Sequence, residues 1–276
     1  MTVATRDERY RVRLNVRRAA ACAKGMRNPV AHHEEFLELI FALAGPGFQR
    51  AYDRFLDAPD GRRLLAERPD VTEVLTDTAR MADCPVGTLG HAYVDFMTQN
   101  RLDASLYDDT HHDLPAIGAR LGWDDDFAYV IHRGIALHDL LHVLGGYGPD
   151  VGGEFGVLAF THGQVDGWVT GATRATLLAL PLGVSRRDRL RFWREGVARG
   201  RAATVLFAAP YEELLDRPLA EVRAQLGIRP DHEAHPLGHI YSPYQFGRSE
   251  QRQMTHAYEP YRYTGDDSDA AVDGAQ

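Results

Sequence analysis

Lysine is almost missing from this chain: Lys24 is the one lysine in 276 residues, so the basic residues, 31 in all, are otherwise arginines, and the formal net charge is −8. Binding to a phosphate backbone draws on a basic surface, so an acidic chain of this kind is not read as a nucleic-acid partner. The arginine bias is ascribed to genome composition rather than to chemistry. Cysteine is nearly as scarce. Cys22 and Cys84 stand at no repeated spacing, which excludes a disulfide framework and a CxxC zinc signature and fits a reducing compartment. No run reaches the roughly 18 uncharged apolar residues that span a bilayer. The nearest approach, 155–180, is interrupted by His162, Gln164, Asp166 and Arg174. Strand-type alternation and internal repeats are absent as well.

What is present is helical periodicity on an ordinary globular core, with 44% of residues hydrophobic. Phe36, Leu37, Leu39, Ile40 and Leu43 mark a helix over 31–43 that Gly45-Pro46-Gly47 stops. Further helices are expected over 48–56, over 62–67 with Asp60 as N-cap, over 71–81, and over 86–100 with Leu89, Tyr93, Phe96 and Met97 on one stripe. The stretch 102–123, with Pro115, reads as polar and irregular. Asp124-Asp125-Asp126 then opens a helix to about residue 144, since acids suit a helix N-terminus. Long helices over 153–180 and 185–207 and two short ones over 210–215 and 218–226 complete an all-α, single multi-helix domain. Residues 1–30 form a basic N-terminal segment, 31–228 the helical domain, and 229–276 an irregular C-terminal extension broken by Pro230, Pro236, Gly238, Pro243 and Gly247, its acidic end expected to be disordered.

The basic segment carries Arg6, Arg9, Arg11, Arg13, Arg17 and Arg18 interleaved with Tyr10, Val12, Leu14 and Val16. It shares arginine richness with organellar transit peptides, but its pattern reads as an amphipathic first segment or a basic strip against anionic lipid. The expectation is a cytoplasmic protein, peripheral on the inner membrane of a bacterial cell, with the matrix side of a mitochondrion as the secondary placement.

The chemistry concentrates in His138-Asp139-Leu140-Leu141-His142, followed after eleven residues by Glu154. Histidines at i and i+4 share a helix face, close enough to chelate one ion. Gly145-Gly146-Tyr147-Gly148-Pro149 cannot continue a helix and folds the chain back, so that Glu154 returns near the start of the next one. The metal site is thus placed between two long core helices. Two carboxylates and two imidazoles in a helical core are costly unless a cation offsets their burial. The set His138, Asp139, His142 and Glu154 suits one divalent ion, zinc first, with iron or manganese as alternatives; Asp139 is either a ligand or a residue supporting the ligands. His235 and His239 have ligand spacing, but Pro236 and Gly238 break the helix that would align them. His32-His33 and His111-His112 point apart on a helix. The glycine turn is not a phosphate loop, because neither GKS nor GKT follows it.

The sequence His138-Asp139-x-x-His142-x11-Glu154 resembles the signature of the coenzyme Q (ubiquinone) biosynthesis protein four family. Gly87-Thr88-Leu89-Gly90 with Tyr93 and Phe96, Ala128-Tyr129-Val130-x-x-Arg133, and downstream Trp193, Gly196 and Arg217-Pro218-Leu219-Ala220-Glu221-Val222-Arg223 resemble further family segments. The likeness spans about 36–228 and is strongest over 87–154. It departs at Ile135-Ala136, where the family has a charged Arg-Glu pair, and is loose after Glu154; these differences bear on the substrate more than on the metal.

The resemblance implies a helical, lipid-associated protein of ubiquinone synthesis that removes the C1 carboxyl of a polyprenylated benzoate-type precursor oxidatively and replaces it by hydroxyl. On that reading His138, His142 and Glu154 are ligands, Asp139 is a fourth ligand or the base, and Arg133 binds an anionic substrate group or forms a structural salt bridge. The partners are a prenylated aromatic or other hydrophobic small molecule, a peripheral membrane contact, and a homodimer or quinone-biosynthesis complex. Leu140, Leu141, Leu144, Val157, Leu158, Phe160 and the run 177–182 either line a prenyl groove or form plain core. Two rival readings are a non-catalytic prenyl-lipid scaffold and an HD-type phosphohydrolase. The latter would need His91 or His112 and Asp166 as additional ligands.

Overall fold

Polar caps set where the helices begin. Asp70 accepts from the backbone N–H groups of Thr72 and Glu73, Thr88 from His91, Asp124 from Phe127 and Ser185 from Asp188, each satisfying a donor that a first turn leaves without a partner. The computed structural model describes residues 15–23, 33–44, 46–100, 102, 106–149, 151–165, 174, 178 and 185–230. Its helices are α1 (Val16–Cys22), α2 (His33–Ala44), α3 (Pro46–Asp57), α4 (Gly61–Glu67), α5 (Val71–Thr76), α6 (Thr78–Ala82), α7 (Leu89–Gln99), α8 (Leu106–Leu121), α9 (Asp125–Ala136), α10 (His138–Gly145), α11 (Val151–Gln164), α12 (Arg186–Ala202) and α13 (Leu219–Leu226). Short 3-10 turns occupy Leu206–Ala208 and Tyr211–Glu213. Among the described residues the sole extended pairing is an isolated bridge between Thr88 and Pro218. The all-α expectation therefore holds.

Several boundaries differ from the sequence reading. The stretch expected to be irregular, 102–123, contains the 16-residue α8, which runs through Pro115. Proline inside a helix costs about 3 kcal/mol, and the burial of Leu114 and Ile117 opposes that cost. The helix expected over 124–144 is two helices, because Leu137 adopts ψ −2° and turns the chain. Neither a proline nor a capping side chain marks that break; Leu137 is simply buried. Asp77 divides 71–81 by accepting from the N–H of Arg80, which starts α6. Asp60 stands at the N-cap of α4, but its carboxylate engages Arg63 instead of the first turn. The short helix expected at 210–215 is a 3-10 turn. The expected continuation of α11 toward 180, the 229–276 extension beyond residue 230, and His235 with His239 lie outside the described residues.

α10 sits at the centre, with Leu140, Leu141, Val143 and Leu144 all at most 1% exposed. Apart from the face that carries His138, Asp139 and His142, α10 is apolar and packed among other helices. Leu140, Leu141, Leu144, Val157 and Phe160 belong to one continuous core with Leu158 packed on it; these residues fill the interior rather than line an open groove. Burying each such side chain is worth about 1.5–3 kcal/mol.

Three other arrangements tie the helices together. α11 and α12 form the most extensive helix pair and run in the same direction, Gly156 beside Gly196 and Gly163 beside Gly200, where any Cβ would fall within 2.8 Å of the opposing helix or of side chains between them. Residues 87–90 are stitched to 215–219 by bonds from Leu89 N to Arg217 O, Gly90 N to Leu215 O and Leu219 N to Gly87 O, at 2.8–2.9 Å. That contact joins two of the family-like segments. At the other end α1 packs on α2: Arg18 and Arg120 both grip the buried carboxylate of Glu38, and Arg120 also reaches Glu34.

Candidate metal centre

His138 opens α10 and His142 lies one turn later, while Glu154 stands in the first turn of α11. Gly146 takes the left-handed conformation at φ 72°, which ends α10, and Tyr147 N bonds to the carbonyl of His142 at 2.9 Å. The turn so formed brings the three residues together. His138 Nε2 lies 3.1 Å from Glu154 Oε2, His142 Nε2 lies 3.5 Å from Glu154 Oε1, and the two histidine Nε2 atoms are 3.3 Å apart. Ligand atoms of His138, Asp139 and His142 all fall within 4.8 Å of one another.

The protonation pattern makes this cluster short of positive charge. His142 Nδ1 faces the carbonyl of Tyr147 at 3.3 Å; a carbonyl only accepts, so the proton sits on Nδ1 and the lone pair on Nε2. Between the two Nε2 atoms and the Glu154 carboxylate there is then one proton, on His138, for three acceptors, and Asp139 adds a second carboxylate. Burial pushes the carboxyl of Glu154 upward, yet the adjoining imidazoles of His142 and His138, the latter donating to it, hold it far below the usual carboxylate range. Burial likewise pushes His138 down, and the bond to Glu154 with the charge of that carboxylate more than reverses it. A divalent cation supplies such a positive field while leaving both rings neutral, so the donor set fits an ion.

Access is one-sided. The side chains of His138 and Glu154 are 28% and 37% exposed, whereas His142 is 1%. The inner wall is aromatic: Phe96 stacks on His142 with ring centroids 5.5 Å apart. Tyr93 is buried near Asp139, and burial, then the charge of Asp139, raises its phenol above the ordinary value, which keeps it a proton-bearing donor. The arrangement is a buried floor with a solvent-facing side at His138 and Glu154.

Arg133 stands in another cluster. It is 2% exposed, and it donates to the carbonyls of Phe207 and Ala209 at 3.0 and 2.8 Å and to both oxygens of Glu212 at 2.5 and 2.9 Å. The salt-bridge alternative is the one this geometry supports. His91 pairs with Asp95 on its own helix; the side chain of His112, and Asp166, lie outside the described residues. Sequence reasoning did not single out Arg223, whose Nε and Nη2 donate to the carbonyls of Leu144 and Val143 at 3.1 and 2.9 Å, capping the last turn of α10 with a buried cation. The signal was its place in the closing family-like segment.

The profile of the family described as Coenzyme Q (ubiquinone) biosynthesis protein Coq4 matches residues 20–232. Among curated relatives, a mitochondrial ubiquinone biosynthesis protein COQ4 of Eremothecium gossypii is 30% identical over 70% of this chain and 58% of its own length. The homologue of Bos taurus is 30% identical over 64% of this chain and 63% of its own, and that of Danio rerio 34% over 64% and 62%. The chain thus spans less than two thirds of the length of these relatives. A crystal structure from Nostoc punctiforme PCC 73102, of a protein assigned provisionally to ubiquinone biosynthesis, superposes with a TM-score of 0.53 at 21% identity over 78% of this chain and 94% of that one, a likeness of fold. The chain belongs to the coenzyme Q (ubiquinone) biosynthesis protein Coq4 family.

Proposed function

We propose that this family member is a metal-dependent enzyme of ubiquinone biosynthesis that replaces the C1 carboxyl of a polyprenylated benzoate-type precursor by hydroxyl. The observation that carries the reading is the convergence of His138, His142 and Glu154, with Asp139 alongside, on a face that stays open at His138 and Glu154. His138, His142 and Glu154 would hold one divalent ion, zinc or an oxygen-activating metal such as iron, and Asp139 would be a fourth ligand or a base. When bound, such an ion supplies Lewis-acid stabilisation of oxygen-centred negative charge.

The remaining work falls to the chain. The bond between ring C1 and the carboxylate breaks with its electron pair left on the ring and carbon dioxide departs; dioxygen, with two electrons from an external reductant and three protons, delivers one oxygen as the hydroxyl and leaves the other as water. The exchange consumes protons, and Asp139, 8% exposed, would relay them to the oxygen that leaves as water, with the nearby Tyr93 phenol donating to developing charge. Phe96 and the buried leucines of α10 keep water from the inner side of the site. Arg133, fully engaged with Glu212 and two carbonyls, anchors the 207–212 segment instead of binding substrate. The exposed Val16 beside Arg17 on α1 supports a peripheral contact with anionic lipid. No described helix is long and apolar enough to cross a membrane, and the curated relatives above are named mitochondrial.

The test is incubation of metal-loaded protein with a prenylated 4-hydroxybenzoate-type acid under oxygen and a reductant, followed by mass spectrometry. The expected product has lost carbon dioxide and gained one oxygen. Recovery of unchanged acid with full metal occupancy would favour a lipid-binding scaffold instead.

A further inference from the structure

The residue that fixes the tautomer of His142 is itself held from a third helix. Tyr147 is fully buried. Its ring lies against Gly145 and Gly156, where a Cβ would come within 2.7 and 2.5 Å of ring carbons, and Phe160 and Phe192 approach it at centroid distances of 6.3 and 6.4 Å. The ring therefore has one slot, and any movement of it carries the backbone of residue 147 along. A buried phenol needs a polar partner, and Arg199 of α12 provides it: Nη2 is 2.6 Å from the Tyr147 hydroxyl, with the guanidinium 5.5 Å from the ring centroid. Tyr147 is thus clamped at both ends, by Arg199 at the hydroxyl and by the Nδ1–H of His142 at the carbonyl.

We propose that Tyr147 and Arg199 are positioning residues of the metal centre: the Arg199–Tyr147 clamp locks the carbonyl that keeps the proton of His142 on Nδ1 and its lone pair, on Nε2, directed at the ion. The inference rests on the metal reading for its consequence but not for its geometry. Residues that orient a ligand in this way typically change metal affinity by about 10–100-fold when removed. The clamp also explains glycine at positions 145 and 156, since a side chain at either would push the tyrosine ring and, through it, the carbonyl.

Two measurements on the full chain decide it. Cobalt(II) titration, followed by its ligand-field absorption, gives affinity, stoichiometry and a signature of ligand geometry. Nitrogen-15 chemical shifts of the metal-free protein, with His142→Gln used for assignment, give the tautomer without any metal. Tyr147→Phe and Arg199→Met are expected to weaken cobalt binding by about tenfold, alter the absorption envelope and mix the two tautomers of His142. Arg199→Lys, which returns a donor, is expected to recover part of both signals, so a general folding defect is separated from loss of the clamp. Unchanged tautomer populations in Tyr147→Phe and Arg199→Met would overturn the inference. A wild-type protein that binds no cobalt while showing the expected tautomer shifts would overturn the metal reading and leave the clamp standing.

Discussion

Two buried polar clusters hang on the same run of chain, where α9 passes into α10, and they are built on opposite principles. Around Arg133 every charge is answered from within: one guanidinium meets one carboxylate and two backbone carbonyls. Around His142, one turn into α10, acceptors outnumber donors, and the two Nε2 atoms face each other at 3.3 Å beside a carboxylate. A buried cluster that is complete in itself rigidifies, whereas one in which acceptors outnumber donors has the donor set that suits a cation. Sequence alone shows both as charged residues in helical segments. The difference between them is one of partners, and partners come from elsewhere in the chain.

The largest expected effect separates the two directly. Arg133→Met strands the carboxylate of Glu212 and removes a donor from the carbonyls of Phe207 and Ala209, a loss of about 3–5 kcal/mol, which is a large part of the 5–15 kcal/mol typical of a whole domain. Protein that remains folded should still take up one ion per chain. His142→Ala should do the reverse, removing the ion, and with it turnover, while costing the metal-free protein less than Arg133→Met does. Denaturant unfolding and metal analysis on both variants check this. If Arg133→Met lost the ion while staying fully stable, the two clusters would not be separate.

The candidate metal cluster was legible in sequence because two of its proposed ligands lie within one helical turn and the third follows a turn that glycine and proline announce. Its neighbours were not. Glu212 is 79 residues from Arg133, and Val143 is 80 from Arg223, so neither pairing leaves a local pattern. The same holds for the fold. Caps such as Asp124 and the stripe Leu89, Tyr93, Phe96 and Met97 were readable because their partners lie within a turn or two. The break at Leu137 and the continuity of α8 through Pro115 depend on how buried leucines and isoleucines pack against other helices, which no local rule records.

An intermediate effect is expected at Arg223, which resembles Arg133 in chemistry but serves the metal helix. Its guanidinium donates to the carbonyls of Val143 and Leu144 at the end of α10, the first of which also accepts from the N–H of Gly146. Arg223→Met should cost about 2 kcal/mol, the range of a hydrogen bond to a charged group with a favourable helix-end contribution. Because the cap sits just after His142, the variant should also bind the ion more weakly than wild type. A loss of stability with unchanged affinity would show that α10 holds its ligands without help at that end.

The smallest effect is expected at a third cluster, which sharpens the comparison because it is closed in charge yet partly open to water. Glu38 is 1% exposed, while the side chains of its partners Arg18 and Arg120 are 38% and 32% exposed. Burial pushes the Glu38 carboxyl upward, but hydrogen bonds from Arg18 and Arg120 outweigh it and the group lies below its ordinary value, with Glu34 the other carboxylate at hand. A carboxyl depressed in the folded state stabilises the fold above its unfolded value, about 4.3, and loses that contribution as pH falls through the lower, folded value. The stability difference between wild type and Glu38→Gln should therefore be constant at neutral pH and shrink only below the ordinary carboxylate range. Salt should reduce it, since exposed guanidiniums are screened, whereas the penalty of Arg133→Met should hardly respond to salt. A Glu38 penalty as salt-insensitive as that of Arg133 would mean that α1 seals this cluster as completely as the 207–212 segment seals the other.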